Sequence, residues 1–185
     1  MTFFQFLMLG ASAFFAYKIY EHVQTLQDPK EQNNTAAEDV DALIDEADAL
    51  LQKGEYSRAL TLYSEVSHRG GSDADTLFKM GYALDKQERY DEALQYYKEV
   101  LELDKNNLAA HQAIASVYRQ LGEYASAREH LNASLELDAN NPITYFNYGN
   151  LLVDMKHLDE AKQMYQKALE IDPDFYPAKH ELEQL

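Results

Sequence analysis

Cysteine is absent from this 185-residue chain, so it has neither a disulfide framework nor a thiolate to serve as nucleophile or metal ligand. Basic residues are scarce: 16 Lys and Arg stand against 32 Asp and Glu, a net charge of −16. Nucleic-acid binding is therefore not expected, because a protein that neutralises phosphates needs clustered Lys and Arg. The six histidines are scattered, with no HExxH and no short paired spacing that would hold a metal. Gly70-Gly71 is followed by no lysine and lacks the strand that a phosphate-cradling loop requires. No nucleophile with its base is recognisable, and neither an enzymatic activity nor a cofactor is expected.

What the chain does have is a period. A 34-residue window repeats four times without a gap, over 40–73, 74–107, 108–141 and 142–175. The eighth position of each unit is small (Ala47, Gly81, Ala115, Gly149) and the twentieth is always alanine (Ala59, Ala93, Ala127, Ala161). Large side chains fill the eleventh (Leu50, Leu84, Tyr118, Leu152), the seventeenth (Tyr56, Tyr90, Tyr124, Leu158) and the twenty-fourth (Tyr63, Tyr97, Leu131, Tyr165). Seven of the 14 tyrosines are thereby placed in a core and need no cofactor to explain them. Small residues let two antiparallel helices approach closely, and the large ones fill the space beside the contact. One such hairpin cannot bury its own apolar face, so each unit needs a neighbour.

The pattern resembles the tetratricopeptide repeat family, whose signature positions are matched in all four units, with Pro173 at the family's proline position. The resemblance implies an all-α, right-handed superhelical solenoid of four helix-turn-helix repeats over 38–185, closed by a short helix at 176–185. Pro177 would lie in the first turn of that helix and Leu182 would cover the last apolar edge. Asp-Lys-Asn-Asn and Asp-Ala-Asn-Asn turns suit helix exit and re-entry between units. In the first unit, Gly70-Gly71 should end the second helix early and leave a more mobile connection. His111 stands where the family carries a large apolar residue, and is expected to be a partly buried, hydrogen-bonded substitute.

Before the repeats, residues 3–17 carry no charge, and the run reaches Tyr20 if Lys18 snorkels to the interface. That is long enough for a membrane-spanning helix, and its apolar groups occur all round rather than on one stripe. A cleaved signal peptide would open with positive charge, and none precedes Phe3. A soluble helix packed on the repeats is the other alternative. Residues 1–27 are thus expected to form a single-pass anchor, continued over Ile19, Val23 and Leu26 and stopped at Asp28-Pro29. Gly10 and Phe14 do not complete a GxxxG pair. Lys18 and Lys30 follow the run, which by the positive-inside bias leaves the repeats in the cytoplasm. Residues 28–37 are polar and aperiodic and are expected to form a linker, with Thr35 and Glu38 as a capping box that starts the first solenoid helix near Ala36.

The resemblance also implies a ligand-facing surface. In the family the first helix of each unit lines a concave groove, chiefly through its second, fifth, ninth and twelfth positions. Here these are Asp41, Ile44, Asp48 and Leu51; Asp75, Phe78, Tyr82 and Asp85; Ala109, Gln112, Ser116 and Arg119; and Ile143, Phe146, Asn150 and Val153. Family members that grip a C-terminal carboxylate present Lys and Asn at the fifth and ninth positions of the first unit. Ile44 and Asp48 would repel one, so that clamp is not expected. The groove instead offers Ile44, Phe78, Tyr82 and Phe146 as apolar anchors, bordered by Asp41, Asp48, Asp75 and Asp85. Such a surface suits a protein or peptide partner with apolar residues and neighbouring basic ones. The expected role is a membrane-tethered adaptor or assembly scaffold. An extracytoplasmic co-chaperone or transport-associated module and a self-assembling structural protein are the alternatives.

Overall fold

The computed structural model describes Lys18 and residues 29–70 and 73–185. Among the described residues it holds nine helices and no strand: α1 (Pro29–Gln52), α2 (Tyr56–His68), α3 (Ala74–Asp85), α4 (Tyr90–Leu103), α5 (Leu108–Gln120), α6 (Tyr124–Leu137), α7 (Pro142–Asp154), α8 (Leu158–Ile171) and α9 (Tyr176–Gln184). Consecutive odd and even helices pack as hairpins, and each even helix also packs on the first helix of the next unit. The first helices of neighbouring units touch as well, α3 on α5 and α5 on α7, which makes them a continuous inner layer.

The repeating small and large residues account for this packing. Ala59, Ala93, Ala127 and Ala161 are fully buried, as are Tyr63 and Tyr165, with Tyr97 and Leu131 almost so. Gly81 and Gly149 have no substitute at their spacing: a Cβ on Gly81 would sit 2.7 Å from the Tyr97 ring, and one on Gly149 would sit 2.4 Å from the Tyr165 ring. The twenty-seventh position completes the seam, with Val66, Val100, Ser134 and Ala168 buried. Ser134 is accommodated because its hydroxyl donates to the His130 carbonyl at 3.0 Å.

Helix starts and stops follow local chemistry. Asp73, Asn107 and Asn141 cap α3, α5 and α7 by accepting from backbone N–H groups of Thr76 (2.7 Å), Ala110 (2.9 Å) and Thr144 (3.2 Å). Asp104, Asp138 and Asp172 brace the turns after α4, α6 and α8, each accepting from the N–H two residues on. The loop inside every hairpin passes through left-handed backbone at the same register position: Gly54 (φ 76°), Glu88 (59°), Gly122 (76°) and Lys156 (66°). Two units therefore use a non-glycine residue where glycine carries no steric cost.

The expected linker is not one. From Pro29 onward its residues form the beginning of α1, and Thr35 lies inside the helix rather than at its cap. Proline is compatible with a first helical position, where its missing N–H has no partner to lose. The following Lys-Glu-Gln-Asn-Asn-Thr-Ala-Ala holds neither glycine nor a further proline, so nothing in it breaks the helix that starts at Pro29. The first unit's second helix does stop early, spanning 13 residues where α4, α6 and α8 each span 14. The rest of that connection, 71–72, lies outside the described residues. So does the expected anchor over 3–20, apart from Lys18; among the described residues no helix is long and apolar enough to cross a membrane. At the other end α9 starts with Pro177 in its first turn, and Leu182 packs into the cluster around Leu152, Ala161, Tyr165 and Ala178.

Candidate functional site

The sixteen inward positions are less buried than the core, although Leu51, Phe78, Phe146 and Val153 pack against it. None of them is buried: the four second-position residues, Asp41, Asp75, Ala109 and Ile143, are exposed, and the other twelve are half-buried. One residue along, Thr76, Ala110 and Thr144 are buried in α3, α5 and α7; in α1 the equivalent Ala42 is exposed, and the buried neighbours of the inward positions are Ala47 and Leu50. A helix that buries one side of a turn and leaves the adjacent side open presents a stripe, and four such helices side by side present a face.

On that face the aromatic candidates are shared between surface and core. Phe78 packs on the cluster of Leu84, Ala93 and Tyr97, with its ring 5.2 Å from that of Tyr97. Phe146 sits 5.8 Å from the Tyr165 ring and 5.6 Å from Phe175. Part of each ring supports its own hairpin, and only the remainder is free to be covered. Tyr82 lies edge-on to Tyr56 of the preceding unit at 6.4 Å and carries the Lys86 ammonium 5.0 Å from its ring centre. Ile44 and Ser116 are half-buried.

The polar candidates are more committed than their sequence suggests. Asp48 accepts a hydrogen bond from the buried Tyr63 hydroxyl and an ion pair from Lys79 at 2.8 Å. Lys79 also reaches Asp75 at 2.7 Å. Burial raises the Asp48 carboxyl, but hydrogen bonds from Lys79 and Tyr63 outweigh it and hold it below the ordinary carboxylate range. Asp48 and Asp75 are thus not a free acidic rim, because one lysine bridges the two units through them. The same register position in unit four repeats the arrangement without charge: Asn150 accepts from the Tyr165 hydroxyl at 2.7 Å. Burial pushes that phenol up to about 12. Gln112 donates to Thr144 at 2.8 Å and to Asn141 at 3.1 Å, and so ties unit three to the cap of unit four. Arg119 pairs with Asp154 at 2.6 Å across the same seam.

Asp85 differs from these. It is half-buried, and its carboxyl makes no hydrogen bond or ion pair among the described residues. Burial pushes it above the ordinary carboxylate range, with Lys86 acting weakly in the opposite direction. His111 is half-buried as expected, with Nδ1 3.0 Å from Nδ1 of His130 and Nε2 3.2 Å from the Lys105 carbonyl. Since Nε2 must donate to that carbonyl, neutral His111 accepts at Nδ1 and His130 donates. Among the described residues no cluster of three or more ligands could hold a metal ion.

Lys79 was invisible as a groove residue because it occupies the sixth position. The signal that could have found it is the four-residue spacing from Asp75, which puts the two side chains on one helical face.

Two family profiles, both described as tetratricopeptide repeat, match residues 44–108 and 107–174. The chain belongs to the tetratricopeptide repeat family. A comparison with curated proteins finds no match. Among solved structures, the chain is similar to YrrB, "a TPR protein with an unusual peptide-binding site", at 22% identity and a TM-score of 0.67, over 95% of this chain and 89% of that one. It is similar to MamA from Desulfovibrio magneticus RS-1 at 22% identity and a TM-score of 0.66, over 77% and 81% of the two chains. The first tetratricopeptide domain of Spaghetti (RPAP3), bound to the HSP90 peptide SRMEEVD, aligns at 30% identity and a TM-score of 0.55, over 60% of this chain and 88% of that one. The fold and the repeats make this chain a protein-interaction module of that family.

Proposed function

We propose that the protein captures a peptide or helix of a partner protein along the inner face formed by α1, α3, α5 and α7, and that it acts as an adaptor or scaffold tethered through residues 3–20 with its repeats in the cytoplasm. The observation that carries the groove is the unburied state of all sixteen inward positions, several of them apolar, on helices that bury the adjoining side of the same turn. The RPAP3 domain's peptide, SRMEEVD, is acidic, with three carboxylate side chains and one arginine. Ile44 and Asp48 offer such a peptide no carboxylate clamp, which favours a ligand of different chemistry. The uncharged run at 3–17 and the lysines that follow it support the tether and its orientation.

A photo-crosslinking residue at Ile143, which is exposed on the inner face, tests the groove against the same residue at Glu99, exposed on α4. Discrete adducts from Ile143 and none from Glu99 are expected; equal labelling from both would sink the groove reading. For the tether, a C-terminal tag should resist protease in sealed vesicles until detergent is added, and the protein should resist carbonate extraction. Cleavage in intact cells would put the repeats on the other side, and release by carbonate would remove the anchor.

A further inference from the structure

The inner face is electrically lopsided. At the inward positions α1 and α3 carry four carboxylates, Asp41, Asp48, Asp75 and Asp85, whereas α5 and α7 carry one arginine, Arg119, which pairs with Asp154. Lys79 satisfies Asp48 and Asp75. At the step between the acidic and the neutral half stands Asp85, whose carboxyl has no hydrogen-bond or ion-pair partner among the described residues.

The repeat itself shows what is missing there. At the seam of units three and four, the twelfth position is Arg119 and the thirteenth of the next unit is Asp154, and they form an ion pair at 2.6 Å. At the seam of units two and three the same positions are Asp85 and Gln120. A carboxylate replaces the cation and an amide replaces its acid, so the slot holds one half-buried negative group and no positive one. Tyr82, one turn earlier on α3, is half-buried beside it, and Lys86 is drawn over the Tyr82 ring rather than into an ion pair with Asp85. A half-buried carboxylate with no ion-pair partner, acted on only weakly by Lys86, is stabilised by a cation that reaches it in a site partly shielded from water.

We infer that the groove's partner is a peptide bearing a lysine or arginine that pairs with Asp85, with its apolar residues lying towards Ile143, Phe146 and Val153 in the neutral half. This rests on the peptide-binding reading of the inner face and specifies the ligand's chemistry. A charge-assisted pair of this kind contributes about 1.5–3 kcal/mol, equivalent to roughly 10- to 100-fold in affinity.

The test is selection of random dodecapeptides displayed on phage against the full-length protein in mild detergent, with Asp85→Asn and Asp85→Glu selected in parallel. Wild type should enrich sequences with Lys or Arg on one side of an apolar segment. Asp85→Asn should keep the apolar enrichment, lose the basic one, and bind the wild-type peptides about tenfold or more weakly, while Asp85→Glu retains the basic preference. Asn is nearly isosteric, and thermal denaturation of both variants shows whether the array is intact. Basic enrichment that is unchanged in Asp85→Asn would overturn the assignment, as would enrichment of acidic or purely apolar peptides by wild type. No enrichment by any form would instead bring down the peptide-binding reading itself.

Discussion

Replacing Gly149 with alanine adds one methyl group, and the structure says where it goes. It would lie 2.4, 2.6 and 2.9 Å from three atoms of the Tyr165 ring, all well inside van der Waals contact. The ring cannot simply swing aside, since Tyr165 is fully buried, its hydroxyl donates to Asn150 at 2.7 Å, and Phe146 flanks it. Overpacking of this kind costs about 1–3 kcal/mol, while alanine in place of glycine inside a helix returns about 0.8–1 kcal/mol. The net expectation is a loss of about 1 kcal/mol, or roughly 2–4 °C in Tm for a domain of this size, read by thermal and urea denaturation followed by circular dichroism. Unit three contains the natural control, in which Ala115 packs with Leu131 instead of tyrosine. In a Tyr165→Leu background, Gly149→Ala should therefore be neutral or stabilising by up to about 1 kcal/mol. Unit one combines Ala47 with buried Tyr63, so a hairpin can be built with both. The cost at Gly149 is that of moving the Tyr165 ring or its helix away from the added methyl. If Gly149→Ala stabilises the otherwise unaltered protein, close approach is not what glycine provides at the eighth position.

Glu88→Gly and Lys156→Gly should each raise stability by a few tenths to about 1 kcal/mol, because both residues hold left-handed backbone that glycine adopts without strain; a loss in Tm would refute this. Asp73→Ala should cost about 0.5–2 kcal/mol through loss of the α3 cap, measured by denaturant titration. Its hydrogen bond to the Thr76 N–H holds the Asp73 carboxyl below 3.8, so the cap's contribution is full above that pH and is lost as pH falls through the lowered value. The His111–His130 pair gives a second window: burial, helped by His111, holds His130 below 6.5, so the hairpin of unit three should keep full stability above that pH and lose it on acidification through the lowered value. His111→Leu should leave most of that dependence in place, because burial is the larger cause, and its complete loss in the variant would refute this assignment.

The fold was legible because its determinants are periodic. Positions eight, twenty and twenty-four sit in phase four times, and the core contains them all. The seam at position twenty-seven was harder to read, since Val66, Val100, Ser134 and Ala168 share size rather than type, and one is polar. Residues 29–37 were misread because their polar sequence has no apolar period to mark a helix. Of the site, the face was legible and its wiring was not. Asp48 looks like a free acid until Lys79 and Tyr63 are seen on it, and those partners are 31 and 15 residues away. Contacts between units depend on how neighbouring hairpins are staggered, which no single repeat reveals.

That wiring determines which substitutions can report on binding. Asp48, Gln112 and Arg119 each join one unit to the next, through Lys79, Thr144 and Asp154 respectively, so changing any of them loosens a seam along with the groove. Phe78 and Phe146 face both ways, and truncating both to alanine removes ring contacts with Tyr97 and Tyr165 as well as surface. In a linear array a weakened seam is felt only by its two neighbours, so lost ligand binding would follow even from a mutation that never touched the ligand. Among the described residues, exposed Asp41, Ala109 and Ile143 have no such ties on the inner face, and the half-buried Asp85 carboxylate there makes no ion pair. Binding is therefore best probed at these four positions, where a change in affinity without a change in Tm belongs to the ligand.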